Sequence, residues 1–431
     1  MPPARSGRID GGRESTREPD AMTFRHSITR SIIAALAYAS LAVATATAVT
    51  PFVVEKEAGS GKDPVSLAAL QTTGNLGALF ATVLRQDLAN SGWFEVAGGR
   101  YGAGIEVSGT AAQQGGDSLA TRVRVRWNGG SFDWGDTTAG IREARWQAHR
   151  LSDEMTRRIK GCAGIAATRI AFVEKESRGG RICICDSDGY ALQKFPSEPV
   201  SPLSPAFTPD GSTIYYTSFI RGYACIYGVA TSGGRRSPLA NFTGLNTGGA
   251  VSPDGRLVAA ILSHPGNPEL FVINTATRRA IRQTHTPRGA EASPCWSPDG
   301  NRIAYVSDES GTPQVYVMDS ESKRSTRVSS RGSQNVAPSW GEGGRIAYCS
   351  KQGNYKIVVY DPADGSQTIV SPESGDWEDP SWAPDGRHIV ASRSDGRASS
   401  LWVIDTMGDP PVRLSLPAGD WRAPDWSKAM R

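Results

Sequence analysis

A short phrase recurs six times in this chain at an almost constant interval. It reads Ser204-Pro205-Ala206-Phe207-Thr208-Pro209-Asp210-Gly211, then Gly249-Ala250-Val251-Ser252-Pro253-Asp254-Gly255, then Ser293-Pro294-Cys295-Trp296-Ser297-Pro298-Asp299-Gly300. A worn copy follows at Ala337-Pro338-Ser339-Trp340-Gly341-Glu342-Gly343-Gly344, a good one at Asp379-Pro380-Ser381-Trp382-Ala383-Pro384-Asp385-Gly386, and a last one, Ala423-Pro424-Asp425-Trp426-Ser427, that breaks off before its turn. The anchors at 207, 251, 296, 340, 382 and 426 are 44, 45, 44, 42 and 44 residues apart. A period of roughly 40–45 residues built from short strands is the signature of a β-propeller.

The local chemistry agrees. In Pro-Asp-Gly, Pro presets φ, Asp bonds its own backbone and Gly accepts a positive φ, which makes a turn. Apolar runs flank each copy, such as Arg302-Ile303-Ala304-Tyr305-Val306-Ser307 and Gln314-Val315-Tyr316-Val317-Met318-Asp319. Near-continuous apolar runs fit sheets covered on both faces, as blades are by their neighbours. The second strand recurs at 169–173, 213–216, 257–260, 302–305, 345–348 and 388–391, giving six blades. The first lacks an upstream hairpin and the last anchor lacks everything downstream. The predicted fold is therefore an α+β N-terminal domain followed by an all-β six-bladed β-propeller closed by the C-terminal strand, which leaves no long open edge.

The 431 residues accommodate this second domain. Residues 1–21 are polar and precede Met22, which reads as the true initiator. Residues 22–48 read as a secretory signal peptide: a basic start at Arg25 and Arg30, an apolar stretch from Ile32 to Val43, then small-x-small cleavage patterns. Residues 49–61 form an extended segment, 62–162 a small α/β domain and 163–431 the propeller. Lys+Arg 47 against Asp+Glu 43 gives a net charge of only +4 without a basic run, which argues against nucleic acid as a partner. Export implies an oxidising compartment. Even so, Cys162, Cys183, Cys185, Cys225, Cys295 and Cys349 show no metal spacing and are read as small packed side chains, with a disulfide left open.

In the small domain, Leu76, Leu79, Phe80, Val83, Leu84 and Leu88 make a helical stripe over Asn75–Ser91, and Trp93-Phe94-Glu95-Val96 follows as a strand. Ile105–Thr110 and Thr121–Trp127 alternate with period two, the second with a basic, solvated face. Ala148, Leu151, Met155 and Ile159 mark a second helix, and the strands are expected to be antiparallel.

Gln86-Asp87-Leu88-Ala89-Asn90-Ser91-Gly92-Trp93-Phe94 resembles the "DLxxSGxF" segment of the TolB family, the periplasmic components of the Tol–Pal system. Ala148-His149-Arg150-Leu151-Ser152-Asp153-Glu154, Gly161 and Ala167-Thr168-Arg169-Ile170-Ala171-Phe172-Val173 are similar to that family's domain junction. The resemblance spans about residues 52–427 and departs at Glu342-Gly343-Gly344 and between Thr110 and Arg150. It implies a periplasmic monomer without cofactor that binds the lipoprotein Pal at the propeller and TolA through its mature N-terminus. Other outer-membrane proteins are further partners, and the implied roles are outer-membrane integrity, cell division and protein transport. By position, the Pal-facing loops supply Asn246, Glu291, Gln334, Asn335, Trp377, Glu378, Trp421 and Arg422. The two tryptophans are expected either to anchor the partner or to plug the channel mouth. Phe52, Val53, Val54 and Glu55 are the expected TolA-binding strand, able to add to a partner's sheet edge or to fold back.

No catalytic constellation is legible. His26, His149, His264, His285 and His388 are scattered, and His149 is read as structural. Asp210, Asp254, Asp299 and Asp385 each have a task in their own turn, so no calcium ring is expected. Gly59-Ser60-Gly61-Lys62-Asp63 lacks the elements of a phosphate loop. The alternative is an exported hydrolase related to prolyl-oligopeptidase-type peptidases, but the chain contains no Gly-x-Ser-x-Gly elbow.

Overall fold

The computed structural model describes residues 61–97, 104–264, 266–372 and 374–428. The residues before Met22, the expected signal peptide and the expected TolA-binding strand Phe52–Glu55 lie outside the described residues.

The small domain runs β1 (Asp63–Thr73), α1 (Gly74–Asn90), β2 (Phe94–Ala97), β3 (Ile105–Gln114), β4 (Ser118–Trp127), β5 (Gly130–Ala139) and α2 (Ile141–Lys160). The sheet order is β2-β1-β3-β4-β5. β3, β4 and β5 are antiparallel as expected, but β1 lies parallel to both β2 and β3. That correction follows from connectivity: α1 is a crossover between β1 and β2, and a crossover returns the chain in the same direction. The stripe of α1 (Leu76, Phe80, Val83, Leu84, Leu88) and that of α2 (Ala148, Leu151, Met155) bury against Val107, Val123 and Val125 of the sheet. The opposite face is solvated, and two of its three arginines pair with acids, Arg124–Asp133 at 2.6 Å and Arg126–Glu106 at 3.8 Å. α2 ends at Gly161, whose φ of 74° and N–H bond to Arg157 O make a left-handed C-cap.

Among the described residues the propeller comprises six four-stranded antiparallel sheets. Blade one is assembled from both ends of the propeller sequence: Asp420–Trp426 is its inner strand, followed by Arg169–Lys175, Gly180–Asp186 and Gln193–Lys194. The register Trp426↔Ile170 and Asp420↔Lys175 seats the last strand on the first. Blades two to six begin with the inner strands Leu203–Phe207, Asn246–Val251, Glu291–Trp296, Asn335–Trp340 and Asp376–Trp382.

The Pro-Asp-Gly turns work as their residues dictate. Asp210, Asp254, Asp299 and Asp385 each accept a backbone N–H two residues on, at 2.9–3.0 Å. Gly211, Gly255, Gly300 and Gly386 have φ of 65–74°. All six cysteines are free; Cys183, Cys185, Cys225 and Cys349 are buried, and Cys162 and Cys295 are half-buried.

Candidate functional site

The loop face of the propeller, where each inner strand begins, was expected to present a partner surface, and its leading residues turn out to join blade to blade. Asn246 is fully buried, and its amide donates to Ala224 O at 3.1 Å and Phe242 O at 2.7 Å. Asn335, also fully buried, donates to Gln314 Oε1 and Arg331 O, both at 2.7 Å. Glu291 accepts the Leu270 N–H at 2.8 Å, Asp376 the Tyr355 N–H at 2.8 Å and Asp420 the Ser399 N–H at 3.0 Å. In each case the first residue of an inner strand is tied to the blade before it.

Trp377 and Trp421 lie inside strands rather than in loops, and each is 1% exposed. Their indole N–H groups donate to Ser374 O at 2.9 Å and Pro417 O at 3.0 Å, and their rings meet Trp402 and Phe172 edge to face. In this arrangement they are core rather than interface. A strand beginning one residue before each Trp turns its ring inward, while the flanking Asp376, Glu378, Asp420 and Arg422 stay half-buried on the other face.

Gln334, Glu378 and Arg422 remain half-buried and accessible. Glu378 and Arg422 stand at the same level of adjacent inner strands. Burial, reinforced by Asp379 and Asp376, pushes the Glu378 carboxyl up to about 7. Arg422 is held by Asp420 at 2.8 Å.

Deeper in the channel a ring appears that sequence reading missed. Three residues before each anchor, Ser204, Gly248, Ser293, Ala337, Asp379 and Ala423 all have positive φ, between 47° and 79°. Five of these are not glycine, and each bears a conformation that an L side chain rarely adopts. Each marks a bulge in its strand. The sequence signal was the small or acidic residue before Pro in five of the six repeats, with Gly248-Gly249 in the other. These bulges line a cavity of about 270 Å³, together with Phe207, Trp296, Trp340, Trp382 and Trp426. One residue before the anchor, side chains stitch neighbouring blades: Ser339 Oγ accepts the Trp382 N–H at 3.1 Å, Ser381 Oγ that of Trp426 at 2.9 Å, and Asp425 Oδ2 that of Phe207 at 2.8 Å.

The small domain meets blades one and six through polar contacts, some of them buried. Asp153 of α2 accepts the Ala166 and Ala167 N–H groups at 2.8 and 2.9 Å, and burial outweighs these bonds to push its carboxyl up to about 7. His149, fully buried, lies 2.7 Å from the Asp87 carboxylate of α1. Burial opposes the imidazolium, but the Asp87 contact prevails and raises the His149 pKa. Arg145 pairs with Asp188 and lies 4.0 Å over Tyr190. Arg387 grips Asp405 and stacks 4.4 Å over Trp93 of the small domain. Lys62 reaches Asp409 at 2.7 Å. The family-like segments identified in the sequence, Asp87–Phe94 and Ala148–Val173, converge at this junction.

No group of three or more His, Cys, Asp or Glu side chains among the described residues is arranged to hold a metal ion. The chemistry available on the loop face is hydrogen bonding, charge and packing by a rigid ring.

A family model described as the TolB beta propeller domain matches residues 156–430. The chain is 33% identical over 204 residues to the Tol-Pal system protein TolB of Legionella pneumophila (strain Philadelphia 1), covering 42% of this chain and 46% of the relative. It therefore spans about half the length of these first curated relatives. It is 32% identical over 293 residues to the same-named protein of Anaeromyxobacter dehalogenans (strain 2CP-C), covering 61% of this chain and 67% of that one. The crystal structure of TolB from Acinetobacter baumannii superposes with a TM-score of 0.74 at 26% identity, over 86% of this chain and 97% of that one. A chain of the nidogen/laminin complex, 11% identical with a TM-score of 0.50 over 61% of this chain and all of that one, shares the fold alone.

Proposed function

This chain belongs to the TolB β-propeller family, and from that premise we propose that it is a non-enzymatic, periplasmic protein-binding component of the Tol–Pal system. In this reading the loop face of the propeller binds Pal, and the N-terminal segment containing Phe52, Val53, Val54 and Glu55 binds TolA. The linkage serves outer-membrane integrity and cell division. The observation that supports it best is the likeness to a TolB over both domains at once, since propellers alone occur with many functions.

Within the loop face, Gln334, Glu378 and Arg422 are the residues of the expected set with accessible side chains, and they are the ones proposed to touch Pal. Asn246, Glu291 and Asn335 contribute by holding the blades in register, and Trp377 and Trp421 by filling the core beneath. The test is calorimetric titration of the full chain with the soluble domain of Pal. Arg422→Glu and Glu378→Lys should weaken binding tenfold or more without loss of thermal stability, and deletion of residues 49–57 should abolish TolA binding while Pal still binds. Unaltered Pal affinity in both charge variants removes the loop face from the proposal. Turnover of a peptide or ester substrate by the purified chain would favour the hydrolase alternative.

A further inference from the structure

The joint between blades three and four contains two buried carboxylates converging on one hydroxyl. Glu269 opens the third strand of blade three, Glu291 opens the inner strand of blade four, and both are at most 3% exposed. Thr284 Oγ1 lies 2.7 Å from Glu269 Oε2 and is also in hydrogen-bond contact with Glu291 Oε2. It accepts the Leu270 N–H at 2.9 Å as well. A threonine hydroxyl has one proton to give. Glu269 is well supplied with donors: Arg282 Nη2 at 2.6 Å, Thr286 N at 2.7 Å and the Thr284 hydroxyl. Burial opposes its ionisation, but these bonds outweigh it and hold its pKa low. Glu291 has the Leu270 N–H at 2.8 Å and the Thr286 hydroxyl at 2.6 Å, and among the described residues no cation is paired with it.

The next joint shows what this arrangement stands in for. Between blades four and five, Gln314, Ser329 and Asn335 occupy the positions of Glu269, Thr284 and Glu291. Ser329 Oγ accepts the Val315 N–H at 3.0 Å and donates to Gln314 Oε1 at 2.7 Å, as Thr284 does with Leu270 and Glu269. Asn335 completes the triad by donating its amide to Gln314 Oε1 at 2.7 Å. Where an acceptor such as Gln314 Oε1 faces it, this position calls for a hydrogen-bond donor, and an ionised carboxylate has none.

We infer that Glu291 carries a proton in the folded protein at and below neutral pH, so that its carboxyl O–H takes the place of the asparagine amide and the joint between blades three and four becomes a proton-operated clasp. Burial, with the Glu269 charge added, pushes the Glu291 carboxyl up to about 7. Other charged or titratable groups near it are Arg282, Tyr305 and Glu309, with Asp308 holding the neighbouring Ala290 N–H at 2.7 Å and with His285 and the exposed Arg288 within the same loop. Loss of the proton leaves two charges on one hydroxyl and releases the connection through Thr284, Thr286 and Gly289, which lies on the loop face.

The inference concerns the fold of this chain and stands whether or not Pal is the partner. It is tested by thermal unfolding of the full chain at pH 6 and pH 8.5. Glu291→Gln, which supplies the amide permanently, should melt close to wild type at pH 6 and several degrees above it at pH 8.5. The infrared difference spectrum between wild type and variant at pH 6 should show the carbonyl band of one neutral carboxylic acid. Should Glu291→Gln fold poorly, Glu269→Gln, copied from the next joint, removes the charge that helps to raise the Glu291 carboxyl and should shrink the loss of stability between pH 6 and pH 8.5. A wild-type-to-variant difference that does not change with pH, or a difference spectrum containing carboxylate bands only, overturns the inference.

Discussion

Asp425 Oδ2 accepts the backbone N–H of Phe207 at 2.8 Å, joining residues 218 positions apart in the chain. The bond links the last strand of the propeller, seated in blade one, to the first strand of blade two. Trp426 beside it donates its indole N–H to Thr168 Oγ1 at 2.7 Å, and Ser427 Oγ accepts the Arg169 N–H at 2.9 Å. The final residues thus secure both flanks of the ring closure. Trp426→Ala should cost about 3–5 kcal/mol, the usual range for a buried aromatic, and removal of residues 420–431 should cost more because it exposes the edge of the Arg169–Lys175 strand. Denaturant unfolding measures both; equal stability of the full and shortened chains contradicts closure by this strand.

The same aspartate gives a pH prediction. Burial raises the Asp425 carboxyl to about 6, although the Phe207 N–H and Ser381 pull the other way. A folded pKa above the unfolded value means that the stabilisation is full below the unfolded pKa of about 4 and is lost as pH rises through 6. Glu378 and Asp153, both near 7, act in the same direction. Stability should therefore fall between pH 5 and pH 8, and Asp425→Asn, which keeps an acceptor for Phe207, should flatten part of the decline. A rise in the melting temperature across that interval would contradict the assignment.

Trp377→Ala and Trp421→Ala should each destabilise the fold by about 3–5 kcal/mol. Gln334→Ala, at an accessible position, should stay within ~0.5 kcal/mol of wild type. Parallel urea titrations separate the two classes, and a neutral effect of either tryptophan would show that its burial contributes little.

Arg387→Ala leaves the buried Asp405 without its arginine, with only the Met407 N–H at 2.7 Å and His388 at 3.6 Å beside it, and breaking a buried ion pair costs about 3–5 kcal/mol. It also removes the cation stacked on Trp93. The small domain should then loosen from blade six, and limited proteolysis should cut faster within residues 161–164. An unchanged cleavage rate would place the junction's strength elsewhere, in Asp153 and its two N–H bonds.

The blade count and the closure by the C-terminal strand were legible because both rest on local signals repeated at a fixed interval: Pro-Asp-Gly turns and apolar strand pairs. The stripe of α1 was legible for the same reason. β1 and β5 were harder to see; β1 lacks a clean alternation of apolar and polar residues, and Ser131, Asp133 and Thr137 make β5 polar along its solvent face. The site was read less well than the fold. Polar neighbours made Trp377 and Trp421 look like loop residues, whereas a one-residue difference in strand start decides which way a ring points. Asn246 and Glu291 looked like surface groups because sequence cannot display the preceding blade, whose exposed backbone N–H and C=O groups they satisfy.

A blade built from both ends of a domain separates the order of synthesis from the order of completion. Strands of blade one emerge from the ribosome at residues 169–194, yet their inner partner at 420–426 follows more than two hundred residues later. Blades two to six can each form from contiguous chain as they appear. The first can only wait, with one edge uncovered, until the last blade has been made and the strand at 420–426 follows it. A frameshift or premature stop anywhere in the last blade therefore damages the oldest part of the propeller along with the newest, and a prematurely terminated chain displays an unpaired strand by which quality-control proteases and chaperones can recognise it.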